Sequence, residues 1–175
     1  MFFKELETER LFLKNIARTD REFIFAHFSD PEVSQYLFDA DPVVEMQGAD
    51  EIVDFYLRPE PRGFHRWVLV RKSDNAKLGT CGLHLWNRDE RSVEVGYDLS
   101  PAYWGNGYMR EAMQRIIAFV TNSMGVSEIN AEIYIDNARS RDLVEKLGFR
   151  FEGITKDEMF QGEAYRHKVY TLYTP

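Results

Sequence analysis

The chain has a single cysteine, Cys81, among its 175 residues. One cysteine excludes an internal disulfide and is typical of proteins that work in a reducing compartment. No apolar run approaches the roughly 18 residues of a membrane-spanning helix, and Lys4, Glu5 and Glu7 interrupt the apolar start that a secretory leader needs. We therefore predict a cytoplasmic protein with no membrane partner, in which Cys81 is a buried, inert thiol.

Basic residues are missing from one long segment. No lysine or arginine lies between Glu22 and Leu57, whereas nine of the 29 acids do, so 20 acids and all 22 basic residues lie elsewhere. The net charge of −7 therefore comes from this segment, and a negative field repels nucleic acid and attracts cations. The segment either presents solvated helix faces or borders a site for a cationic ligand.

Two common phosphate-binding signatures are also absent. The chain has no Gly-Lys-Ser/Thr of a Walker loop, and Arg110 replaces the third glycine of the dinucleotide fingerprint. It does have a glycine loop, Trp104–Met109, between an alternating strand pattern and an amphipathic helix pattern. Such a loop leaves backbone N–H groups unpaired at the positive end of a helix. The sequence therefore predicts a cradle for phosphate or pyrophosphate.

The remaining pattern predicts a mixed α/β fold in a single domain, residues 1–175, with the order β-α-α-β-β-β-α-β-α-β-β. Helix starts are predicted at the capping box Thr19–Glu22 and at Asp30-Pro31. Asn137 is expected to cap a helix that ends at Gly148. In the helix that follows the glycine loop, Glu111 and Arg115 are expected to pair at i,i+4. Strands are expected at about 10–16, 64–71, 77–87, 92–100 and 129–135, followed by a closing hairpin about Gln161-Gly162.

The glycine loop resembles the acetyl-CoA-binding motif of the GNAT N-acetyltransferases, Gln/Arg-x-x-Gly-x-Gly/Ala. Trp104 and Met109 depart from that consensus. The run Asp136–Ser140, followed by Gly148-Phe149, resembles the family's second cofactor motif, and the predicted order is similar to the GNAT fold along essentially the whole chain.

The Tyr-Trp-Gly-x-Gly-Tyr form of the loop resembles one branch of that family, the ribosomal-protein N-terminal (alanine/serine) acetyltransferases. The opening Glu9–Leu13 and the later Ser29–Val33 resemble the same branch.

This resemblance implies acetyl-CoA as a cosubstrate and no metal. The backbones of Asp98 and Leu99 would pair with the pantetheine arm, and Asn137 would hydrogen-bond it, although Asn137 could equally be only a helix cap. The pyrophosphate would lie on the loop residues Trp104, Gly105, Asn106, Gly107, Tyr108 and Met109.

Two residues are candidates for proton transfer. Ser140 stands where the ribosomal-type branch has a serine proposed to stabilise the leaving thiolate, whereas Val144 stands where many GNAT enzymes have a tyrosine. Glu94 could remove the proton of an ammonium substrate directly or through water, with Glu158 as a weaker rival. Ser140 could instead be a solvent-facing serine, and Glu94 could be an exposed residue of its strand.

The function predicted from the sequence is direct transfer of an acetyl group to a primary amine, with a protein N-terminal α-amine favoured. An α-amine has a pKa of about 8 and a lysine of about 10.4, so the α-amine needs less help from a base. The alternatives are a small amine such as a polyamine or an antibiotic, and a non-catalytic acyl-CoA-binding module. Monomer and homodimer both remain open.

Overall fold

The computed structural model describes residues 2–175. One sheet has eight strands: β1 Leu6–Glu7, β2 Leu11–Asn15, β3 His65–Arg71, β4 Lys77–Asn87, β5 Ser92–Leu99, β6 Glu128–Tyr134, β7 Arg150–Phe160 and β8 Glu163–Tyr173. They lie side by side in the order β1-β2-β3-β4-β5-β6-β8-β7. Its helices are α1 Arg21–Phe28, α2 Pro31–Ser34, α3 Met46–Tyr56, α4 Tyr108–Met124 and α5 Ala138–Lys146. The mixed α/β fold class predicted from the sequence is confirmed.

The sheet is antiparallel except where β5 meets β6. That parallel pairing covers three residues of β5 and stops at Glu94 opposite Asn130. Beyond this point β5 continues along β4 as far as Leu99, and β6 continues along β8 as far as Tyr134. The two strands therefore separate, and the facing edges of their second halves border a gap in the middle of the sheet.

Helices cover both faces of the sheet. The apolar face of α4 packs with α5 on one face, and its buried residues are Met109, Ala112, Met113, Ile116, Phe119 and Val120. On the other face α1 and α3 bury Ile24, Phe28 and Val53 against Val68 of β3. Side chains alternate along β5, so Val95 faces α4, whereas Glu94 and Asp98 point to the α1–α3 face.

Three local expectations were wrong. Thr19 does not cap a helix, because Arg18–Asp20 form a 3₁₀ turn in which the Asp20 carboxylate accepts from the Ala17 N–H at 2.8 Å. The predicted order also lacked the short strand β1 and one helix, because Asp30-Pro31 begins only the one-turn α2 and a separate helix, α3, begins at Met46. Glu111 does not pair with a residue of its own helix. It bonds instead to Arg10 at 2.7 Å.

The other caps and the closing hairpin are confirmed. The Asn137 side chain accepts from the N–H of Ser140 at 3.1 Å, Gly148 takes a left-handed φ of 93°, and Gln161-Gly162 turns β7 into β8. Cys81 is buried and donates to Met113 Sδ at 3.6 Å. Burial raises the pKa of its thiol to about 12, so Cys81 is an inert core residue as expected.

Within residues 2–175, none of the helices is both long and apolar enough to span a membrane.

Candidate active site

The glycine loop lies at the N-terminus of α4, as predicted. Gly105 and Gly107 have φ angles of 75° and 77°, which only glycine adopts readily. The first backward hydrogen bond of the helix runs from the N–H of Glu111 to the carbonyl of Gly107 at 3.0 Å. The N–H groups at the helix start precede this bond, and they combine with the positive end of the 17-residue helix. The loop can therefore hold an anion on its backbone.

Side chains of the loop fix its shape. Trp104 donates its indole N–H to the carbonyl of Leu99 at 2.7 Å, which ties the loop to the end of β5. Asn106 donates to the carbonyl of Trp104 at 2.9 Å, and Met109 is buried in the core. Of the predicted cofactor residues, Trp104, Asn106 and Met109 thus use their side chains to hold the loop. Their backbones remain free to border the anion.

Two arginines, neither of them among the predicted site residues, flank the loop. Arg10 donates to the carbonyl of Asn106 at 3.1 Å, and its guanidinium lies 4.5 Å from the ring centre of Tyr108. Arg139 lies 3.3 Å from the ring centre of Trp104. Arg10 reaches the loop because it immediately precedes β2, which pairs with β3, and Arg139 reaches it from the first turn of α5. Arg139 lies in the Asp136–Ser140 motif and Arg10 in the Glu9–Leu13 run, but neither resemblance assigned these side chains a contact with the glycine loop.

The side chain of Asp98 points away from the loop. It is 6% exposed and meets His27 Nε2 at 2.6 Å, Arg66 Nη1 at 3.1 Å and the N–H of Thr80 at 2.9 Å. Burial raises the pKa of Asp98, but the bonds from His27, Arg66 and Thr80 outweigh it and lower the pKa below its usual value. The Asp98 side chain is therefore engaged within the protein, and only its backbone is left for a cofactor. Leu99 beside it ends the strand.

Asn137 and Ser140 form the first turn of α5, next to β5. The hydroxyl of Tyr97 donates to the carbonyl of Ser140 at 3.3 Å, which places this turn on the α4 side of the sheet. Burial raises the pKa of Tyr97. The hydrogen bonds of Ser140 to Tyr97 and Asn137 use its main chain, so neither engages its hydroxyl. Tyr97 therefore places a second hydroxyl near this turn, and Tyr97 was not among the predicted site residues.

Glu94 lies on the opposite face of β5, where the strands begin to separate. It is half-buried and lines a cavity of about 710 Å³ with Asn130, Glu132 and Lys156. Burial, together with the charge and hydrogen bonding of Glu132, raises the pKa of Glu94 to about 7, although Lys156 opposes the shift. Glu94 is therefore not a freely exposed carboxylate. It gains and loses its proton near neutral pH.

Glu158, the rival base, lies on β7. It pairs in register with Tyr165 of β8, and its charge adds a small increase to the pKa of Glu94. Glu158 thus lies on the same face of the sheet as Glu94, but on the edge strand β7.

The loop between α2 and α3 covers the far end of this face with aromatic rings. Phe38 stacks on Tyr165 at 3.9 Å and meets Tyr134 at 4.9 Å. Asp41 accepts from Gln161 Nε2 at 2.9 Å, so it ties the loop to the turn between β7 and β8. Asp39 is exposed, and its charge acts on His84 in the sheet.

Other acids of the negative segment are paired. Asp50 bonds to Arg21 at 2.6 Å and Asp54 to Arg18 at 2.8 Å. These acids therefore do not face the gap as free charges.

The candidate residues thus form two groups on opposite faces of β5. The glycine loop, Asn137 and Ser140 lie with α4 and α5, whereas Glu94 and the cavity lie on the α1–α3 side. The gap between β5 and β6 is where the two groups can meet. A linear molecule that passes through the gap would have its charged end on the loop and its reactive end near Glu94.

Comparisons with known proteins identify the family of the chain. Residues 10–150 match the family described as "Acetyltransferase (GNAT) domain". The chain is 34% identical over 176 residues to the "Uncharacterized N-acetyltransferase YoaA" of Bacillus subtilis (strain 168), a match that covers 99% of this chain and 98% of that protein.

Solved structures show the same fold. The "spermidine N-acetyltransferase from Vibrio cholerae in complex with CoA and spermine" has a TM-score of 0.81 at 20% identity, with 94% of this chain and 95% of that one covered. A "putative ribosomal-protein-serine acetyltransferase" from the same organism has a TM-score of 0.83 at 18% identity, with 99% of both chains covered. The resemblance found in the sequence is confirmed: the chain belongs to the GNAT acetyltransferase family and is an N-acetyltransferase.

Proposed function

We propose that this enzyme transfers the acetyl group of acetyl-CoA directly to a primary amine, and that its preferred acceptor is a protein N-terminal α-amine. The observation that carries the proposal is Glu94. It is a half-buried carboxylate with a pKa of about 7, and it lies beside the gap in the sheet. A base with a pKa near the working pH is the most effective kind for removing a proton in catalysis.

The residues of the chain fit acetyl-CoA at three places. The N–H groups from Gly105 to Met109 suit the pyrophosphate, with Arg10 and Arg139 alongside. The edge of β5 up to Leu99 that faces the gap offers backbone groups to the pantetheine arm, much as a neighbouring strand would.

Asn137 has an amide that can add a hydrogen bond. Its oxygen already accepts from Ser140, so its NH₂ group remains for the ligand.

Bound acetyl-CoA supplies a thioester whose carbonyl carbon can be attacked by an amine. Glu94 takes one proton from the ammonium group of the acceptor, directly or through water. The nitrogen then forms a bond to the carbonyl carbon, the C–S bond breaks, and the second proton of the nitrogen ends on the sulfur of the departing thiol. Ser140 donates a hydrogen bond from its hydroxyl to that sulfur and stabilises the charge that develops there. Because Glu94 and Ser140 lie on opposite faces of β5, Glu94 acts at the acceptor nitrogen and Ser140 at the sulfur, on opposite sides of the carbonyl carbon.

The preference for an α-amine follows from the proton affinities. An α-ammonium with a pKa of about 8 loses its proton to a base of pKa about 7 at a cost of roughly 1.4 kcal/mol, whereas a lysine ammonium at about 10.4 costs roughly 4.6 kcal/mol. Glu94 is therefore better matched to an α-amine, the acceptor with the lower pKa.

A small cationic amine is the second candidate, and the aromatic loop favours it. The rings of Phe38, Tyr134 and Tyr165 lie together on the acceptor face, and Asp39 lies beside them. Aromatic faces attract cations, so this surface could also hold a polyamine.

An acceptor panel tests both candidates. Thiol release from acetyl-CoA is measured with peptides that have a free N-terminus, with the same peptides blocked at the N-terminus but bearing lysine, and with spermidine. We expect the free-terminus peptides to give the highest kcat/KM, with the label on the α-nitrogen by mass spectrometry. Turnover of spermidine alone would favour the second candidate, and acetyl-CoA binding without turnover of any acceptor would support the non-catalytic module.

The base assignment has its own test. Glu94→Gln keeps the size of the side chain but cannot accept the proton, so kcat should fall by roughly 10²-fold or more with acetyl-CoA affinity little changed. A fully active variant would remove Glu94 from the mechanism.

A further inference from the structure

A second carboxylate lies against the proposed base. Glu132 follows Asn130, the register partner of Glu94, by two residues of β6, so both acids point to the same face of the sheet. The Glu132 side chain is 14% exposed, and both acids line the same cavity. Two carboxylates so close in a partly buried place resist being charged together.

Lys156 holds the second carboxylate in place. It lies on β7, and its Nζ forms an ion pair with Glu132 Oε1 across the intervening strand β8. Lys156 is half exposed, whereas Glu132 is nearly buried. The ammonium therefore supplies a positive charge to one member of the acid pair and leaves Glu94 without a direct ion pair in the described part of the chain.

We propose that Glu132, held by Lys156, is a positioning residue that tunes the base: Glu94 and Glu132 form a carboxylate pair that holds a single shared proton after the acceptor has been deprotonated. This inference rests on the proposed role of Glu94. The proton leaves the acceptor ammonium, binds to Glu94 and is then donated as a hydrogen bond to the charged Glu132. One N–H bond breaks, one O–H bond forms, and the charge of Glu132 remains balanced by Lys156.

The other groups that face Glu94 cannot take this part. His84, its register partner on β4, has its pKa lowered to about 4 by burial and by Arg66, while Asp39 opposes the shift, so the imidazole is neutral at pH 7. Glu158 on β7 adds a smaller charge effect than Glu132. Near neutral pH the titration at this point therefore belongs to the pair.

The test is a titration of the whole protein without ligand. The side-chain carboxyl ¹³C signals of glutamate are followed by NMR from pH 4 to pH 9, and the Glu94 signal is identified by its loss in Glu94→Gln. The wild-type midpoint should lie near 7. Glu132→Gln removes the repelling charge and should lower the midpoint by about one pH unit or more. Lys156→Met removes an attracting charge and should raise it, by about half a unit or more.

Glu128→Gln is the matched control. Glu128 is also on β6, two residues from Asn130 in the other direction, and accepts from the Asn130 amide at 2.8 Å. Its loss should move the midpoint by no more than about 0.3 units. The acidic limb of kcat/KM with a peptide acceptor should move in the same direction as the NMR midpoint in each variant.

Opposite shifts in the two variants would establish the pair. An unchanged midpoint in Glu132→Gln, or a shift as large in Glu128→Gln, would overturn it. A result that Glu94 is not the base would be recognised separately. Glu94→Gln would then keep its turnover and the acidic limb of its kcat/KM profile, while the NMR titration would still report on the carboxylate pair.

Discussion

Replacing Gly107 by alanine tests the anion cradle most directly. Gly107 is the N-cap of α4 with a φ of 77°, and its backbone borders the proposed pyrophosphate position. An added Cβ would lie 3.6 Å from Arg10 Nη2. Alanine therefore either projects a methyl group toward the anion or relaxes φ and turns the N–H groups away from it. We expect the Kd for acetyl-CoA to rise at least tenfold, about 1.4 kcal/mol.

The same substitution strains the backbone, so its effect on stability must be separated from its effect on binding. A left-handed conformation costs a residue with a Cβ roughly 1–2 kcal/mol. For a chain of this length that lowers Tm by about 2–8 °C. Gly125→Ala is the matched control, because Gly125 has a φ of 67° and no atom within 4 Å of the added Cβ. It lies at the other end of α4, roughly 25 Å away for 17 residues.

Isothermal titration calorimetry with acetyl-CoA and thermal unfolding of both variants complete the test. We expect similar losses in Tm and a large loss of affinity in Gly107→Ala alone. An affinity for acetyl-CoA in folded Gly107→Ala equal to that of the wild type would refute the cradle. An equal loss of affinity in Gly107→Ala and Gly125→Ala would also refute it, because affinity would then simply follow stability.

Two further predictions concern single side chains. Ser140→Ala should lower kcat by roughly 10²-fold with little change in acetyl-CoA affinity. The affinity should be kept because the hydrogen bonds of Ser140 to Asn137 and Tyr97 use its main chain and survive the substitution. A loss of kcat below about threefold, when chemistry limits the rate, would contradict the role of Ser140 and make Tyr97→Phe the next variant to measure. Asp98→Asn should cost about 3–5 kcal/mol at pH 7, because it leaves Arg66 buried without its charged partner. The folded-state pKa of Asp98 is lowered, so its contribution to stability is present above the unfolded value near 3.9 and is lost as pH falls through the folded value. Urea unfolding should therefore show the gap between wild type and variant narrowing below about pH 4, and a gap independent of pH would contradict this.

Local signals made most of the fold predictable. Alternation and turn residues located every strand except the two-residue β1 to within one or two residues, and the bounds of β4 are those expected. Asn137 and Gly148 mark the ends of α5 by chemistry that acts within a few residues, so neighbours in sequence suffice to recognise it. The glycine loop was found for the same reason.

Contacts between distant residues were not predictable in this way. Glu111 had an arginine four residues away in its own helix, yet it bonds to Arg10, about a hundred residues earlier in the chain. A helix pair is worth only a few tenths of a kcal/mol. The Arg10 bond, together with that from Thr8 at 2.5 Å, outweighs it. A weak local preference therefore could not decide between the two.

The environment of Glu94 depends on tertiary structure even more strongly. The sequence showed only an acid in an alternating strand, which fits an exposed surface as well as a base. What distinguishes the two is Glu132 on the next strand and the separation of β5 from β6 beyond that point. The same separation is what would allow the glycine loop and the proposed base Glu94 to act on one substrate. Alternation sends Glu94 and Tyr97 to opposite faces, and a fully paired sheet would keep them apart. A sheet that opens after three paired residues lets a single extended substrate reach both.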